Sequence, residues 1–422
     1  MDKLNRELIS FVEGSDDSLF SIYNLPYGVF YTADSSPRVG TAIGDYVLDL
    51  ALLEKEKLIN IDSEQPIFSQ SSLNYFASLG AKHWSSVRQR IQTLLSVDNY
   101  ELQDNQSLLQ RALIPLREIQ MTLPFKIEGF TDFYAAEHHA TNVGKLFRSN
   151  ENALLPNWKY LPVAYNGRAS TVFPSGTDVI RPRGQIKLSS DEPPVYEPCR
   201  KLDFELELGL FIGQGNPDRK PITIDEARSH LFGCVLLNDW SARDIQAFEY
   251  QPLGPFLAKS FATSISTWVI PMEALIPAMK NCLEQDPRPV EYLYSNTRQL
   301  PDIKLLVEIQ PAGSKIRTKI CETNSMELYW SMEQMIAHHT VNNCILKTGD
   351  LLGTGTISGT VRESWGSLLE ITFNGRQPIK LDDGSERAFL LDGDTVIITG
   401  YCEIGSHKIG FGSLEGTVLP AG

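Results

Sequence analysis

The run KLDFELELGLFIG, from Lys201 to Gly213, alternates acidic and apolar residues with the period of a β-strand. Asp203, Glu205 and Glu207 fall on one face, Phe204, Leu206 and Leu208 on the other. Neighbouring carboxylates on one strand face sit roughly 6.5–7 Å apart and repel each other. A solvent-facing strand would intersperse Lys or Thr, so an all-acidic row calls for a hard cation with oxygen ligands, Ca²⁺ or Mg²⁺. An acidic edge strand that discourages aggregation is the competing explanation. No EF-hand spacing is present, so further ligands must come from distant parts of the chain.

A second stretch, VLLNDWSARDIQAFEYQPLGPFLAKSFATS from Val235 to Ser264, starts as an apolar run of strand length and delivers Asp239 where that strand should stop. Ser241 stands at an N-cap position with Asp244 three residues on, an imperfect capping box, and Pro252 with Gly254 ends the helix. Arg243, Gln246 and Tyr250 then share one helical face, a guanidinium, an amide and a phenol over about two turns. The turn PLGPF is placed to fold Lys259 and Thr263 back towards them. An ordinary amphipathic surface helix gives the same pattern.

The third stretch, TDFYAAEHHATNVG, crowds Asp132, Tyr134, Glu137, His138 and His139 together. A helix through it would put Asp132 and His139, seven apart, on the same side; a helical His-His pair with one ring packed and one in water is the plainer reading. Arg148 and Tyr165 follow, a cation and a phenol able to hold an anionic substrate or to lie on the surface. GDLLGTGTISG, Gly349 to Gly359, reads as a strand running into a glycine-rich turn with Thr354, Thr356 and Ser358. It lacks the Lys and the following helix of a phosphate loop, but its backbone amides can cradle a carboxylate. Glu370 interrupts the apolar strand pattern SLLEITF, and a buried carboxylate must be paired or take up a proton.

The elements that would carry these groups are mostly strands. YGVFYT, RVGTAI and DYVLDL read as antiparallel strands with a tight Gly44-Asp45 turn, the makings of a small barrel. Helical spacing runs from Ser71 to about Ser96 and again from Glu101 to Leu113, so the first ~115 residues can close as a β-rich unit without catalytic residue types. Further on, Trp268 to Leu275 and the segment around Pro287 and Pro289 read as connection, Ile303–Gln310 and Lys315–Cys321 as strands, and Ser325 to His339 as a helix whose terminal His338-His339 pair is structural. Thr395–Ile404 and the GFG segment complete a second, β-rich domain.

At 422 residues with a formal charge of −14 the chain has room for two or three domains and a surface that repels nucleic acid and anionic membranes. No run reaches the ~18 apolar residues of a membrane span, and the start, MDKLNRELIS, has neither a basic nor an apolar leader region, which predicts a cytoplasmic protein. Six scattered cysteines without a CxxC predict free thiols.

Taken in order, NLPYGVF, TDFYAAEHHATNVG, ENALLPNW, DFELELG, LLNDWSARDIQAFEYQPLGPFLAKSF, GTISG and FLLDGDTVIITG resemble the fumarylacetoacetase family nearly end to end. The resemblance implies an α+β, mainly β fold: an SH3-like N-terminal barrel with helices over residues 1–120, and a C-terminal mixed β-roll over 121–422 that forms a homodimer. It implies Asp132, Glu205, Glu207 and Asp239 as ligands of Ca²⁺, and Lys259 with Thr263 at a second, Mg²⁺ position. His139 matches the general base and Glu370 its orienting carboxylate; Arg243, Gln246 and Lys259 match the groups around the oxyanion. Tyr134, Arg148, Tyr165, Gln246, Tyr250 and Thr356 match substrate contacts. The implied reaction is hydrolysis of the carbon–carbon bond of 4-fumarylacetoacetate, a 1,3-diketone, to fumarate and acetoacetate, the last step of tyrosine and phenylalanine breakdown. The chain departs from the family pattern at Asn166, where His is expected, and at Glu137 and His138 before the base. Another diketo-acid enzyme of the same superfamily, or a Ca²⁺-stabilised binding protein on the same scaffold, are the alternatives.

Overall fold

β-Branched and aromatic residues in runs of four to eight, punctuated by glycine turns, favour short strands over helices. The computed structural model, which describes residues 8–189 and 191–422, is organised around three sheets. The start of the chain, on which the expectation about a leader rests, lies largely outside the described residues.

Among the described residues, Tyr27–Tyr31, Arg38–Ile43 and Tyr46–Asp49 pair antiparallel as the sequence predicts, and Leu113–Pro115 and Gln120–Met121 add the two edges. A 3₁₀ turn of three residues, Leu116–Glu118, links those edges. Such a turn cannot cross a flat five-stranded sheet, roughly 19 Å wide at ~4.8 Å per strand, so the sheet curls into a half-barrel. The strand Gln120–Met121 pairs with Tyr31 and Phe30, so the N-terminal sheet extends past residue 120. We propose that the division between the two units falls after Met121.

Two helices predicted as single elements are each broken. The Ser71–Ser96 pattern divides into Asn74–Ser78 and Ala81–Leu95 at Gly80, whose φ of +86° suits glycine alone. The Glu101–Leu113 pattern divides into Tyr100–Gln103 and Gln106–Ala112, because the Asn105 side chain accepts from Leu108 N and starts a new helix. Downstream, the Trp268–Leu275 connection contains a strand, Ile270–Pro271, and a helical turn, Met272–Leu275. The predicted Ser325–His339 helix begins only at Met332, where Ser331 and Gln334 form a capping box. His339 and His338 are structural, bonded to Thr131 Oγ1 at 2.9 Å and to the Tyr292 hydroxyl at 2.9 Å.

The central mixed sheet runs in the order Ala164–Asn166, Phe130–Phe133, Leu351–Gly353, Leu206–Ile212, Leu231–Asn238, Thr263–Ile265 and Val172–Pro174. Alternation along it splits the core. Leu206, Leu208, Leu210, Cys234 and Leu236 face the C-terminal sheet built on Lys304–Gln310, Thr395–Ile404 and His407–Leu419. Phe211, Phe232, Val235 and Leu237 face the N-terminal portion and share one core with it. The first ~115 residues therefore do not close on themselves; their apolar face is completed by the central sheet. Phe232 is the joint: its ring lies 5.9 Å from Tyr27, 5.7 Å from Phe76, 5.2 Å from Trp84 and 5.6 Å from Phe125. Phe232→Ala is expected to cost about 3–5 kcal/mol, with both portions unfolding in one transition of lower midpoint when followed by tryptophan fluorescence and circular dichroism in urea.

Candidate active site

The central sheet carries Asp132, Glu207 and Asp239 on the face that packs, further along the same strands, against the N-terminal portion. Asp132 lies in Phe130–Phe133, Glu207 in Leu206–Ile212, Glu205 just before that strand, and Asp239 just after Leu231–Asn238. One oxygen from each of Asp132, Glu205, Glu207 and Asp239 lies within 4.8 Å of the others, and all four residues are buried. The strand Leu351–Gly353 runs between those of Asp132 and Glu207, and it ends in glycine where the two carboxylates meet. A Cβ on Gly353 would stand 2.3 Å from Asp132 Oδ1 and 3.0 Å from Glu207 Oε2. The following turn aims the Gly355 amide at both, 3.1 Å from Asp132 Oδ1 and 2.9 Å from Glu207 Oε2, and Gly355 has φ +76° with no room for a side chain. The glycine-rich turn does cradle carboxylates, and they are the protein's own.

Cations flank one side of the cluster. The Lys259 ammonium contacts Glu205 Oε2, stands 2.8 Å from Asp239 Oδ2 and 3.2 Å from the Asp239 carbonyl. Thr263 Oγ1 and the Tyr165 hydroxyl each donate to the Asp239 carboxylate at 2.6 Å. Arg243 donates from Nε to Asp203 Oδ2 at 2.9 Å and from NH1 to Glu205 Oε1 at 2.7 Å and Gln246 Oε1 at 3.3 Å, while its buried NH2 has no partner. Burial pushes the Glu205 carboxyl up, but Lys259 and Arg243, with His139, outweigh it and hold it at about 2. Burial drives Asp132 and Glu207 well above the carboxylate range, and the neighbouring acids reinforce it: Asp239 for Asp132, and Asp132 and Asp239 for Glu207. Glu207 Oε1 is buried without any hydrogen-bond partner. An all-oxygen donor set with an orphaned carboxylate oxygen suits a hard dication. The residues present therefore fit a metal ion.

The base candidate sits beside this cluster. His139 is 2% exposed, and its Nδ1 lies 2.7 Å from Glu370 Oε2. Glu370 Oε2 also accepts from Ser358 Oγ and Ser367 Oγ, each at 2.9 Å, and Oε1 accepts from Asn142 Nδ2 at 2.9 Å. Burial opposes ionisation of Glu370, yet His139 and these donors hold its carboxyl below the usual value. An ionised Glu370 fixes the imidazole proton on Nδ1 and leaves Nε2 as the acceptor. The Tyr134 ring meets His139 edge-on at 5.1 Å between centroids. Tyr134 is kept protonated by burial and by the negative charge of Glu370.

Three local expectations are corrected. Asp132 and His139 do not share a helix: Asp132 is in a strand and the helix starts only at Glu137, the break falling at Ala135-Ala136, where Ala135 N donates to the Thr354 carbonyl and the Ala135 carbonyl accepts from Tyr329 N. Ser241 caps no helix; Ser241–Ala242 is a short strand against Leu202–Asp203, and the helix Arg243–Glu249 starts without a side-chain cap. The expected box partner Asp244 instead accepts from Cys199 Sγ and Arg200 N. Glu370 lies in a helical turn, Leu368–Ile371, rather than a strand, capped by Ser367. Tyr250 ends the Arg243–Glu249 helix and is 46% exposed. Arg148 is exposed and spends donors on the Asn152 and Ala153 carbonyls at 3.1 and 2.6 Å, although its charge is felt by Tyr134. Thr356 is buried on the glycine-rich turn. Among the family departures, Asn166 is exposed and pairs with Thr131 at the edge of the sheet, Glu137 pairs with Lys159 at 2.8 Å and His138 stands 3.6 Å from Glu327. Sequence reading missed Asn142 and Ser367 as supports of Glu370; Asn142 stands at i+3 from His139 and Ser367 three before Glu370, the spacings that would have found them.

Residues 129–419, which hold every group just described, match the family model "Fumarylacetoacetate (FAA) hydrolase C-terminal", so the chain carries the C-terminal region of the fumarylacetoacetate hydrolase class. Residues 23–124 match "Fumarylacetoacetase N-terminal". The chain is 49% identical over 415 residues to fumarylacetoacetase of Homo sapiens, covering 98% of this chain and 99% of that protein. It is 48% identical over 422 residues to that of Dictyostelium discoideum, covering 98% of each. The chain belongs to the fumarylacetoacetase family. A solved structure of a fumarylacetoacetate hydrolase from Exiguobacterium antarcticum shares the fold, with a TM-score of 0.52, 15% identity, and 94% of this chain and 99% of that one covered.

Two variants test the cation site. Gly353→Ala places a methyl against Asp132 and is expected to weaken Ca²⁺ or Mg²⁺ binding at least ~10-fold in calorimetric titration. Glu207→Gln should act with opposite signs in the two states. A folded-state pKa raised above the unfolded one confers stability that is complete at acid pH and lost as pH rises through the raised value. The cation-free variant should therefore melt above the cation-free parent, by a margin that widens from pH 5 to pH 8, and gain less from added cation.

Proposed function

We propose that this chain is a metal-dependent hydrolase that cleaves the carbon–carbon bond of 4-fumarylacetoacetate to fumarate and acetoacetate, the closing step of tyrosine and phenylalanine catabolism. The observation that carries the reading is a buried His139–Glu370 pair, bonded at 2.7 Å, beside four converging carboxylates. Family membership over nearly the whole chain supports the substrate.

A carbon leaving group is poor, so the site must stabilise both a tetrahedral oxyanion and a departing carbanion. Asp132, Glu205, Glu207 and Asp239 would hold a dication, which we take to be Ca²⁺ or Mg²⁺, and it would supply Lewis-acid stabilisation of the developing negative charge. His139 Nε2 accepts a proton from the attacking water, and Glu370 steadies the imidazolium that results. Arg243 has an unpartnered NH2 to offer the oxyanion, with the Gln246 amide next to it. Burial opposes the Lys259 charge, but Asp239 and Glu205 raise its pKa, so it stays an ammonium able to give a proton to the leaving carbon, after which the proton held by the His139 imidazolium restores it. Lys259 and Thr263 meet at Asp239, the edge at which a second, Mg²⁺ position is proposed. Tyr134, Tyr165 and Thr356, all at least partly buried, suit the inner end of a bound substrate, while Arg148 and Tyr250, both exposed, suit the carboxylate ends of an incoming diketo acid.

The same reading includes a homodimer through the C-terminal unit, supported by exposed Tyr196, Ile180, Leu253 and Phe256. A cytoplasmic setting is supported by six free thiols; among the described residues no helix is long and apolar enough to cross a membrane.

His139→Ala is expected to slow hydrolysis by ~10²–10⁴-fold while leaving the cation-induced rise in melting temperature intact. Continuous loss of diketone ultraviolet absorbance measures the first, and differential scanning fluorimetry the second. A variant with near-parental turnover would remove His139 from the mechanism, and a stoichiometric absorbance change in the parent would mark a binding protein.

A further inference from the structure

Asp203 opens the acidic row yet stands apart from the four clustered carboxylates. It is 0% exposed, and both of its oxygens are fully used. Oδ1 accepts from Phe204 N at 2.9 Å and from Leu368 N at 2.8 Å; Oδ2 accepts from Leu369 N at 2.9 Å and from Arg243 Nε at 2.9 Å. Two of these partners are the first amides of the turn Leu368–Ile371, which presents Glu370 to His139. A third is the Arg243 guanidinium, whose NH2 is buried without a hydrogen-bond partner. One carboxylate thus clamps two elements that lie more than a hundred residues apart and carry opposite halves of the chemistry.

We propose that Asp203 is a positioning residue, which sets the Arg243 guanidinium at a fixed place relative to the Glu370–His139 pair. The inference rests on the hydrolytic function proposed above. Water attack demands that the base and the oxyanion donor act on the same carbonyl carbon, one on the incoming oxygen and the other on the carbonyl oxygen. Misplacement by about 1 Å between two such groups is costly. Among the described residues the Arg243 side chain otherwise bonds Glu205 and Gln246, the Glu370 carboxylate otherwise bonds His139, Asn142, Ser358 and Ser367, and the other route between them is longer, from Glu205 through the Leu206 N–Gly366 O bond at 3.0 Å to Ser367. Asp203 touches neither the Glu370 carboxylate nor the imidazole, so its effect must pass through the turn and the guanidinium. Asparagine is the informative replacement, because its amide keeps the volume and one acceptor oxygen but loses the acceptor needed for the remaining amide or the guanidinium.

The test uses the full chain loaded with Ca²⁺ and follows diketone hydrolysis in the parent, Asp203→Asn, Glu370→Gln and the double variant. Asp203→Asn is expected to lower kcat ~10- to 100-fold with KM within ~3-fold and the cation-induced melting shift retained. Combined with Glu370→Gln, it should add less than ~3-fold to the loss from Glu370→Gln alone, since both changes spoil one arrangement. A kcat within ~2-fold of the parent, or losses that multiply in the double variant, overturns the proposal. If Asp203→Asn does not fold, Asp203→Glu takes its place under the same criteria. A parent that does not hydrolyse the diketone would instead refute the function proposed above.

Discussion

Repulsion among buried carboxylates is the constraint on which the site depends. Asp132, Glu205, Glu207 and Asp239 are brought within 4.8 Å by three strands of one sheet, in a place where water cannot screen them. Such a gathering is unfavourable unless charge of the opposite sign is built in or bound. The chain supplies part of it through Lys259 and Arg243, both aimed at Glu205. Among the described residues, Asp132 and Glu207 share one hydrogen-bond donor, the Gly355 amide, and the more distant Lys259 charge does not offset their burial. The asymmetry is informative: one edge is neutralised by side chains, the other is left for an ion.

Two fully buried glutamates show how the same group is tuned in opposite directions by its donors. Glu370 receives three side-chain hydrogen bonds besides that of His139, and burial fails to protonate it. Glu207 receives one backbone hydrogen bond, keeps one oxygen without a partner, and is surrounded by like charge, so burial prevails. Solvent exposure does not distinguish the two. What differs is whether the protein itself satisfies the anion, as it does for the group that orients His139, or leaves it incomplete, as it does where a cation fits.

Legibility in the sequence followed the range of the signal. The paired glutamates at 205 and 207, Asp239 at a strand end and the glycine-rich turn at 353–359 are readable because each is a local pattern with a two-residue or turn-length period, whereas Asp203, read into the same acidic row, lies on a separate strand and outside the cluster. The N-terminal strands around Gly44-Asp45 were readable for the same reason. Errors arose where tertiary contacts overrode local pattern. The Ala135 amide bonds the Thr354 carbonyl at 3.1 Å, which keeps Asp132 in strand geometry although its spacing to His139 is helical. Ser241 looks like a cap but pairs in a strand against Asp203. Glu370 looks like the polar position of a strand, yet Ser367 and the Asp203 carboxylate together nucleate a helical turn there. Self-closure of the N-terminal portion was equally out of reach, since nothing in residues 1–115 announces that Phe211 and Phe232 complete its core.

That shared core bears on the chemistry. Leu231–Asn238 carries Phe232 at one end, locked among Tyr27, Phe76, Trp84 and Phe125, and delivers Asp239 at the other. Leu206–Ile212 likewise carries Phe211, stacked on Phe125 at 4.3 Å, with Glu207 four residues earlier on the same face. Strands pinned by interlocked aromatic rings at one end resist the sliding and splaying that carboxylate repulsion would otherwise drive at the other, because a packed interior transmits strain instead of absorbing it. Among the described residues, the N-terminal portion contributes no group to the carboxylate cluster or to the His139–Glu370 pair. Its physical contribution is to hold the strands in register, so that acids which repel one another stay close enough to share one cation.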